Sequence, residues 1–274
     1  MDIMFRIHEL ILLIYLVSLS VAAYDLVFRN RVARKVSFYM TAAAGVLHVS
    51  SFIFIAWNIG RIPVMTTYEG MFALSMILVI IGIVHYRLTD SEMTFFVYLF
   101  SSFILLSIFT FAPVSFDRVV QVSSIMSELL LVHISLALIA YVLFFVSALH
   151  AVIYIIQYGN LKKKRFNRLF FSLFSIETAQ KVMVRTAFFG AAFLLVSTML
   201  GMQWGVRING MSIFYDIKVL CTILVLLFYA AILGRLKMTG NAHEFAKLNI
   251  IVFIICMLNY FFVTQLSSFH FWND

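Results

Sequence analysis

The sequence predicts an all-α, polytopic integral membrane helix bundle, and three observations carry that prediction. Of 274 residues, 64% are hydrophobic and only 12% charged, and mean hydropathy is +1.04; soluble domains hold roughly 45–50% apolar and about 25% charged residues. The apolar residues fall in long runs that are apolar on every face, unlike the alternating pattern of a porin-like barrel. There are eight such runs, and at about 20 residues per span they leave only short connections. Residues 1–274 therefore form a single membrane domain, with both termini expected outside.

The first run, 10–28, lacks a basic leader and is followed by Arg29, Arg31, Arg34 and Lys35, so it reads as a retained helix and not as a cleaved signal. The second, 36–57, carries His48 near its middle, where a histidine usually bonds to a neighbouring helix. The third, 70–86, is short and opens on Glu69, whose charge suits a helix N-terminus. The fourth is 93–111. The fifth, 129–156, is long enough to tilt and holds His133 and His150, which stand about 25 Å apart along a helix. Residues 158–185 follow as a basic cytoplasmic loop, with Phe-rich 169–176 lying along the membrane interface as a helix. The sixth run, 186–204, ends on Trp204. The seventh, 217–233, is short and opens on Asp216 and Lys218. The eighth is 248–266.

Basic residues set the orientation, because Lys and Arg stay on the cytoplasmic side. With the N-terminus outside, inner connections hold fifteen of the twenty Lys and Arg, and the outer side keeps Arg6, Arg61, Arg118, Arg207 and Lys218. Trp57, Trp204 and Trp272 then all fall at outer ends, where indole rings anchor in the headgroup layer. The net charge of +8 thus has a membrane explanation. The one basic cluster, Lys162 to Arg168, lies beside a helix end facing the anionic lipid of the bilayer, and no nucleic-acid partner is expected.

Enzymatic readings find no support. There is no phosphate-binding loop, no nucleophile elbow and no HExxH zinc motif. Cys221 and Cys256 form no CxxC pair and read as packing residues. The histidines are more informative, since ionisable groups at membrane depth usually mark a site. His133 lies near the outer end of the fifth helix and His270 follows the eighth on the same side. Two neutral imidazoles facing one cavity are able to supply both axial ligands of a haem iron; a histidine at a helix end is also an ordinary interfacial polar group, and spacing alone leaves both readings standing. His8, His85 and His243 read as interfacial.

Several ordered segments resemble the CcsA/CcmC-like cytochrome c assembly family, in particular its shorter HemX-type branch. Gly60-Arg61-Ile62-Pro63 with Thr67-Tyr68-Glu69-Gly70-Met71-Phe72 is similar to the family's G-x-x-P … N-x-Y-E-S-x-x-F. Leu131-Val132-His133-Ile134 with Ala140-Tyr141 resembles its outer histidine segment. Ser175-Ile176-Glu177 running on to Gly201 is similar to P-S-L-E … G, and Asn259-Tyr260-Phe261 to Phe269-His270 to N-Y-F-G-V-N … L-H-S-Y. The resemblance covers most of residues 45–272.

The resemblance implies that His133 and His270 are the paired outer histidines, holding the iron of haem b, with weaker contributions from Trp204, Tyr215 and Asp216. It implies a bacterial cytoplasmic membrane location. Two departures bear on function. Members that deliver haem carry W-G-x-x-W-x-W-D-P-K-E between these histidines; here Asp216 and Lys218 match and Tyr215 replaces one Trp, but Ser212 and Ile213 offer no aromatic surface. Where the family has an inner His before an Arg, this chain reads Leu233-Gly234-Arg235. The expected function is therefore a non-enzymatic, haem-binding membrane protein that tunes haem synthesis through the level of glutamyl-tRNA reductase, with a cytosolic enzyme of that pathway as partner. The alternative is a cytochrome c assembly component that presents haem to a partner synthase.

Overall fold

The computed structural model describes residues 2–111, 128–166 and 168–263. The regular structure of these residues is all helix, without a strand among them: α1 (Asp2–Phe28), α2 (Arg31–Ile59), α3 (Thr67–Thr89), α4 (Glu92–Phe111), α5 (Glu128–Lys162), α6 (Arg168–Ser172), α7 (Ile176–Asn209), α8 (Ile217–Thr239) and α9 (Ala242–Leu258). A 3₁₀ turn, Gly210–Tyr215, joins α7 to α8, and a π turn, Asn259–Val263, continues α9. Among the described residues, eight helices are long and apolar enough to cross a membrane, matching the eight expected spans.

Side-chain caps explain where several of these helices start. The Asn30 side chain accepts from the amides of Val32 and Ala33 at the head of α2. Thr66 and Glu69 form a reciprocal capping box on α3, which satisfies amides that have no partner within the helix. Asp216 is the N-cap of α8 and accepts from Lys218 N at 2.9 Å. Gly60 and Gly240 end α2 and α8 at φ +67° and +65°, a left-handed conformation that suits glycine. The sixth span differs most from expectation. It runs over Ile176–Asn209 because Ser175 caps it and because Lys181 and Arg185, which interrupt the apolar run, are compatible with helix. Ile176 is accordingly the first residue of α7, and the short helix before it is only Arg168–Ser172.

The chain divides into two compact units, Met1–Val119 and Val120–Asp274. In the first, α1 packs on α2 and α4, and α3 packs on α2 and α4. His8, Tyr15, Ser18 and Asp25 follow helical spacing down one face of α1 and meet α2 in order. His8 Nε2 lies 2.9 Å from Ser51 Oγ and the Tyr15 hydroxyl 3.1 Å from His48 Nδ1. Ser18 Oγ is 2.6 Å from Thr41 Oγ1, and Asp25 accepts from Arg34 at 3.0 Å. Arg34 also pairs with Glu92 of α4. Ser75 of α3 and Ser102 of α4 exchange hydrogen bonds with each other's backbone. Interhelical bonds of this kind contribute about 0.6 kcal/mol each on average in a membrane bundle, and their larger effect is to fix the register of one helix on the next.

The second unit is organised by the antiparallel pair α5 and α7. Small residues let the helices approach: a Cβ added at Gly190 would stand 2.7 Å from Phe144 Cε1, and one at Gly201 would stand 2.5 Å from His133 Cε1. Beyond the Gly190 contact, on the side away from Gly201, Ser147 donates to the Met183 carbonyl at 2.7 Å. The same hydroxyl accepts from Asn249 of α9 at 2.8 Å, while Phe144 stacks on Tyr229 of α8 with ring centroids 4.0 Å apart. Gln157 donates to the carbonyls of Phe170 and Phe174, which ties the segment around α6 to the end of α5. In the π turn, Asn259 donates to Thr222 of α8 at 3.1 Å.

Candidate functional site

His133 stands near the start of α5 and is partly exposed. Its Nδ1 lies 2.6 Å from the backbone carbonyl of Ser197 on α7. A carbonyl only accepts, so Nδ1 carries the proton and the lone pair of the neutral ring is left on Nε2. Ser197 Oγ is 3.0 Å from the same Nδ1, but its own proton goes to the His133 carbonyl at 2.8 Å, which leaves that oxygen as a second acceptor. Among the described residues Nε2 has no hydrogen-bond partner. An imidazole held in this way has a fixed tautomer and a more basic free nitrogen, the usual preparation of a metal-ligating histidine.

The ring occupies space that only glycine leaves open. One turn after Ser197, a Cβ on Gly201 would meet Nδ1 at 2.7 Å and Nε2 at 3.0 Å. Gly190, Ser197 and Gly201 lie at helical spacing on one face of α7, so the small-residue face that packs α7 on α5 also seats the ring. Lys218, the second residue of α8, makes no ion pair among the described residues. Ser197 is the residue that sequence reasoning missed. Its signal is this spacing of small residues, which becomes specific only once α5 is known to lie against it.

The other expected site residues are placed as follows. Trp204 is 4% exposed, so the reading of Trp204 as an anchor in the headgroup layer is corrected: it packs within the protein. Trp57, by contrast, is 85% exposed. Tyr215 closes the 3₁₀ turn and is 85% exposed, leaving its ring available to a ligand. Asp216 is engaged with backbone amides at the head of α8. His270 and Trp272 lie outside the described residues, as does the end of the expected eighth run.

The remaining histidines are structural in their surroundings. His8, expected at an interface, is buried; it meets Ser51 and packs edge-on against Phe72 and Phe109, because α2, α3 and α4 all close over this part of α1. His48 bonds to Tyr15 on the neighbouring helix, as expected, and lies over Phe72 with centroids 4.4 Å apart. His85 meets Thr89 of its own helix. His150 Nδ1 donates to the Val146 carbonyl at 2.7 Å, and His243 stacks on Tyr158 at 4.3 Å. Among the described residues no group of three His, Cys, Asp or Glu side chains is placed to hold a metal ion. Cys221 and Cys256 are both free thiols. A single prepared imidazole suits a metal that brings its other ligands with it, as a porphyrin iron does.

Comparisons with known proteins bear on the family. The family described as "Cytochrome C assembly protein" matches residues 64–270, a span that contains His133, Ser197, Gly201 and His270. Protein HemX of Bacillus subtilis (strain 168) is 28% identical over 271 residues, covering 98% of this chain and 98% of that protein. Protein HemX of Brevibacillus brevis is 28% identical over 268 residues, covering 97% of each chain.

Proposed function

The chain belongs to the cytochrome c assembly protein family, and from that premise we propose that it is a haem-handling, multi-pass membrane protein of HemX type. In this reading it sits in the bacterial cytoplasmic membrane with both ends outside, binds haem b at the outer face, and tunes haem synthesis through the level of glutamyl-tRNA reductase. It works by binding and not by turnover. The observation that supports the reading most is the state of His133: Nδ1–H is committed to the Ser197 carbonyl at 2.6 Å, which leaves Nε2 as a lone-pair donor.

Among the described residues, one side chain would suit a haem iron. His133 would hold the iron through Nε2, Ser197 would fix the ring's tautomer, and Gly201 would leave it room. Lys218, at the head of α8, would offer a cation complementary to the carboxylates of the porphyrin edge. His270 is assigned the second ligand on the strength of the family resemblance. Bound haem would supply an iron that takes axial imidazole nitrogens.

Regulation is preferred to haem delivery on one specific ground. A surface that presents a porphyrin needs large open aromatic faces. Trp204, the one indole of the 204–218 stretch, is buried, and only two exposed rings, Phe214 and Tyr215, remain along it. The test is deletion of the gene followed by complementation with the parent and with His133→Ala. We expect the deletion to change the amount of glutamyl-tRNA reductase while covalent cytochrome c stays intact, and His133→Ala to fail to restore the parental level. Loss of covalent cytochrome c with an unchanged reductase level would overturn this reading in favour of the assembly role.

A further inference from the structure

At the end of the second unit remote from His133, the last turns of α5 and the first turns of α7 border a cavity of about 590 Å³ that is largely open to the surface. Tyr154, Tyr158, Leu161 and Lys162 line it from α5, and Ile176, Glu177 and Gln180 line it from α7. Its aromatic wall is fixed: Tyr154 stacks on Tyr158 at 6.2 Å, and Tyr158 stacks in turn on His243 of α9 at 4.3 Å.

The surroundings are strongly basic. Lys162, Lys163, Lys164 and Arg165 follow one another at the end of α5 and are all exposed. Lys181 and Arg185 are exposed on α7. The one carboxylate in the lining, Glu177, is already paired with Lys181 at 2.6 Å, so it leaves the excess positive charge largely uncompensated. The walls are mixed, with Ile176 and two tyrosine rings beside Lys162 and the Gln180 amide. That composition matches a ligand with an anionic head and an apolar body.

Helix length places this cavity at the right depth. With 35 residues, α5 extends about 52 Å, well beyond the roughly 30 Å hydrocarbon core. Its apolar stretch ends where the cavity begins, and tyrosine is a typical residue of the headgroup layer. Phe166 and Phe171, both exposed, follow in the connection to α7 and offer apolar contact at the same level.

We propose that this cavity is a binding site for an anionic phospholipid, with Lys162 and Gln180 contacting the phosphodiester headgroup and Ile176, Leu161 and the two tyrosines holding the start of an acyl chain. Basic pockets between membrane helices recognise anionic headgroups by this combination of charge and shape. The site is independent of the haem reading, since it shares no residue with the His133 site.

The test uses the full chain, purified in detergent and delipidated, with native mass spectrometry during titration with phosphatidylglycerol, with phosphatidylcholine of the same acyl chains, and with inorganic phosphate. Phosphatidylglycerol is expected to bind about tenfold more tightly than phosphatidylcholine, and millimolar phosphate is expected not to displace it. Lys162→Gln should reduce that preference to about twofold. Ile176→Trp fills the cavity without changing any charge and should weaken phosphatidylglycerol binding about fivefold or more, while Lys237→Gln, a basic residue outside the lining, should leave it unchanged. Equal binding of the two lipids, displacement by phosphate, or parental binding by the Ile176→Trp variant would each overturn the proposal. Thermal unfolding of each variant shows that it is folded; if Ile176→Trp is not, Lys162→Gln decides by the same lipid ratio.

Discussion

In the first unit, His8 and His48 meet the hydroxyls of Ser51 and Tyr15, whereas in the second unit His133 meets a backbone carbonyl. A hydroxyl both donates and accepts, so either tautomer of His8 or His48 satisfies its partner. A carbonyl only accepts, so His133 has one tautomer and its lone pair sits on Nε2. The polar partners of the first unit are shared between helices and serve to hold α1 and α2 in register. The partner of His133 fixes the ring and leaves Nε2 unused among the described residues. A carbonyl partner fixes the tautomer of a histidine in a membrane bundle, as the Val146 carbonyl does for His150 too; His133 differs in being partly exposed, whereas His150 is buried.

The close packing behind the His133 site offers the largest effect by which to break this comparison. Gly190→Leu drives a side chain into Phe144, where even a Cβ would be 2.7 Å away, and is expected to destabilise the protein by about 3 kcal/mol or more. In the first unit, Gly45→Ala meets Ile83 at an ordinary 3.5 Å and should change stability by less than about 0.5 kcal/mol. Thermal unfolding in detergent measures both, and equal losses would show that the α5–α7 contact is less exacting than its geometry implies.

His48→Leu sharpens the comparison at intermediate size. It strips the Tyr15 hydroxyl of a buried partner and should cost about 1–2 kcal/mol, with haem content per protein unchanged. A fall in haem content would put a ligand in the first unit and erase the distinction between the units. The smallest effect is expected from Lys181→Ala, which breaks the pair with Glu177; both side chains are more than half exposed, so the cost should stay below about 0.5 kcal/mol in a urea or thermal titration.

Much of the fold was legible in the sequence because a bilayer imposes one strong pattern, a run of about 20 apolar residues per helix. All eight spans follow from it. Their ends were less legible: Ser175 and the exposed pair Glu177–Lys181 begin α7 ten residues before the apolar run does, and polar residues in a helix leave no mark on hydropathy. The candidate site was visible as His133 and Gly201 but not as a geometry. Ser197 is 64 residues from His133, and only the antiparallel packing of α5 on α7 brings its carbonyl to the ring. The same limit explains His8, whose place near the start of a helix suggests an interface although Ser51, Phe72 and Phe109 close around it.

The most direct test of the central claim is the absorption spectrum of the purified chain after haem titration, recorded for the parent, His133→Ala and Gly201→Ala. The account predicts a low-spin b-type spectrum for the parent, as two imidazole ligands would give. It predicts at least about tenfold weaker haem binding or an open coordination position in His133→Ala. A similar loss is expected in Gly201→Ala, whose Cβ would displace the ring, and ferrous carbon monoxide binding reports any open position. Parental spectra and haem content in both variants would contradict the assignment of His133 as an iron ligand.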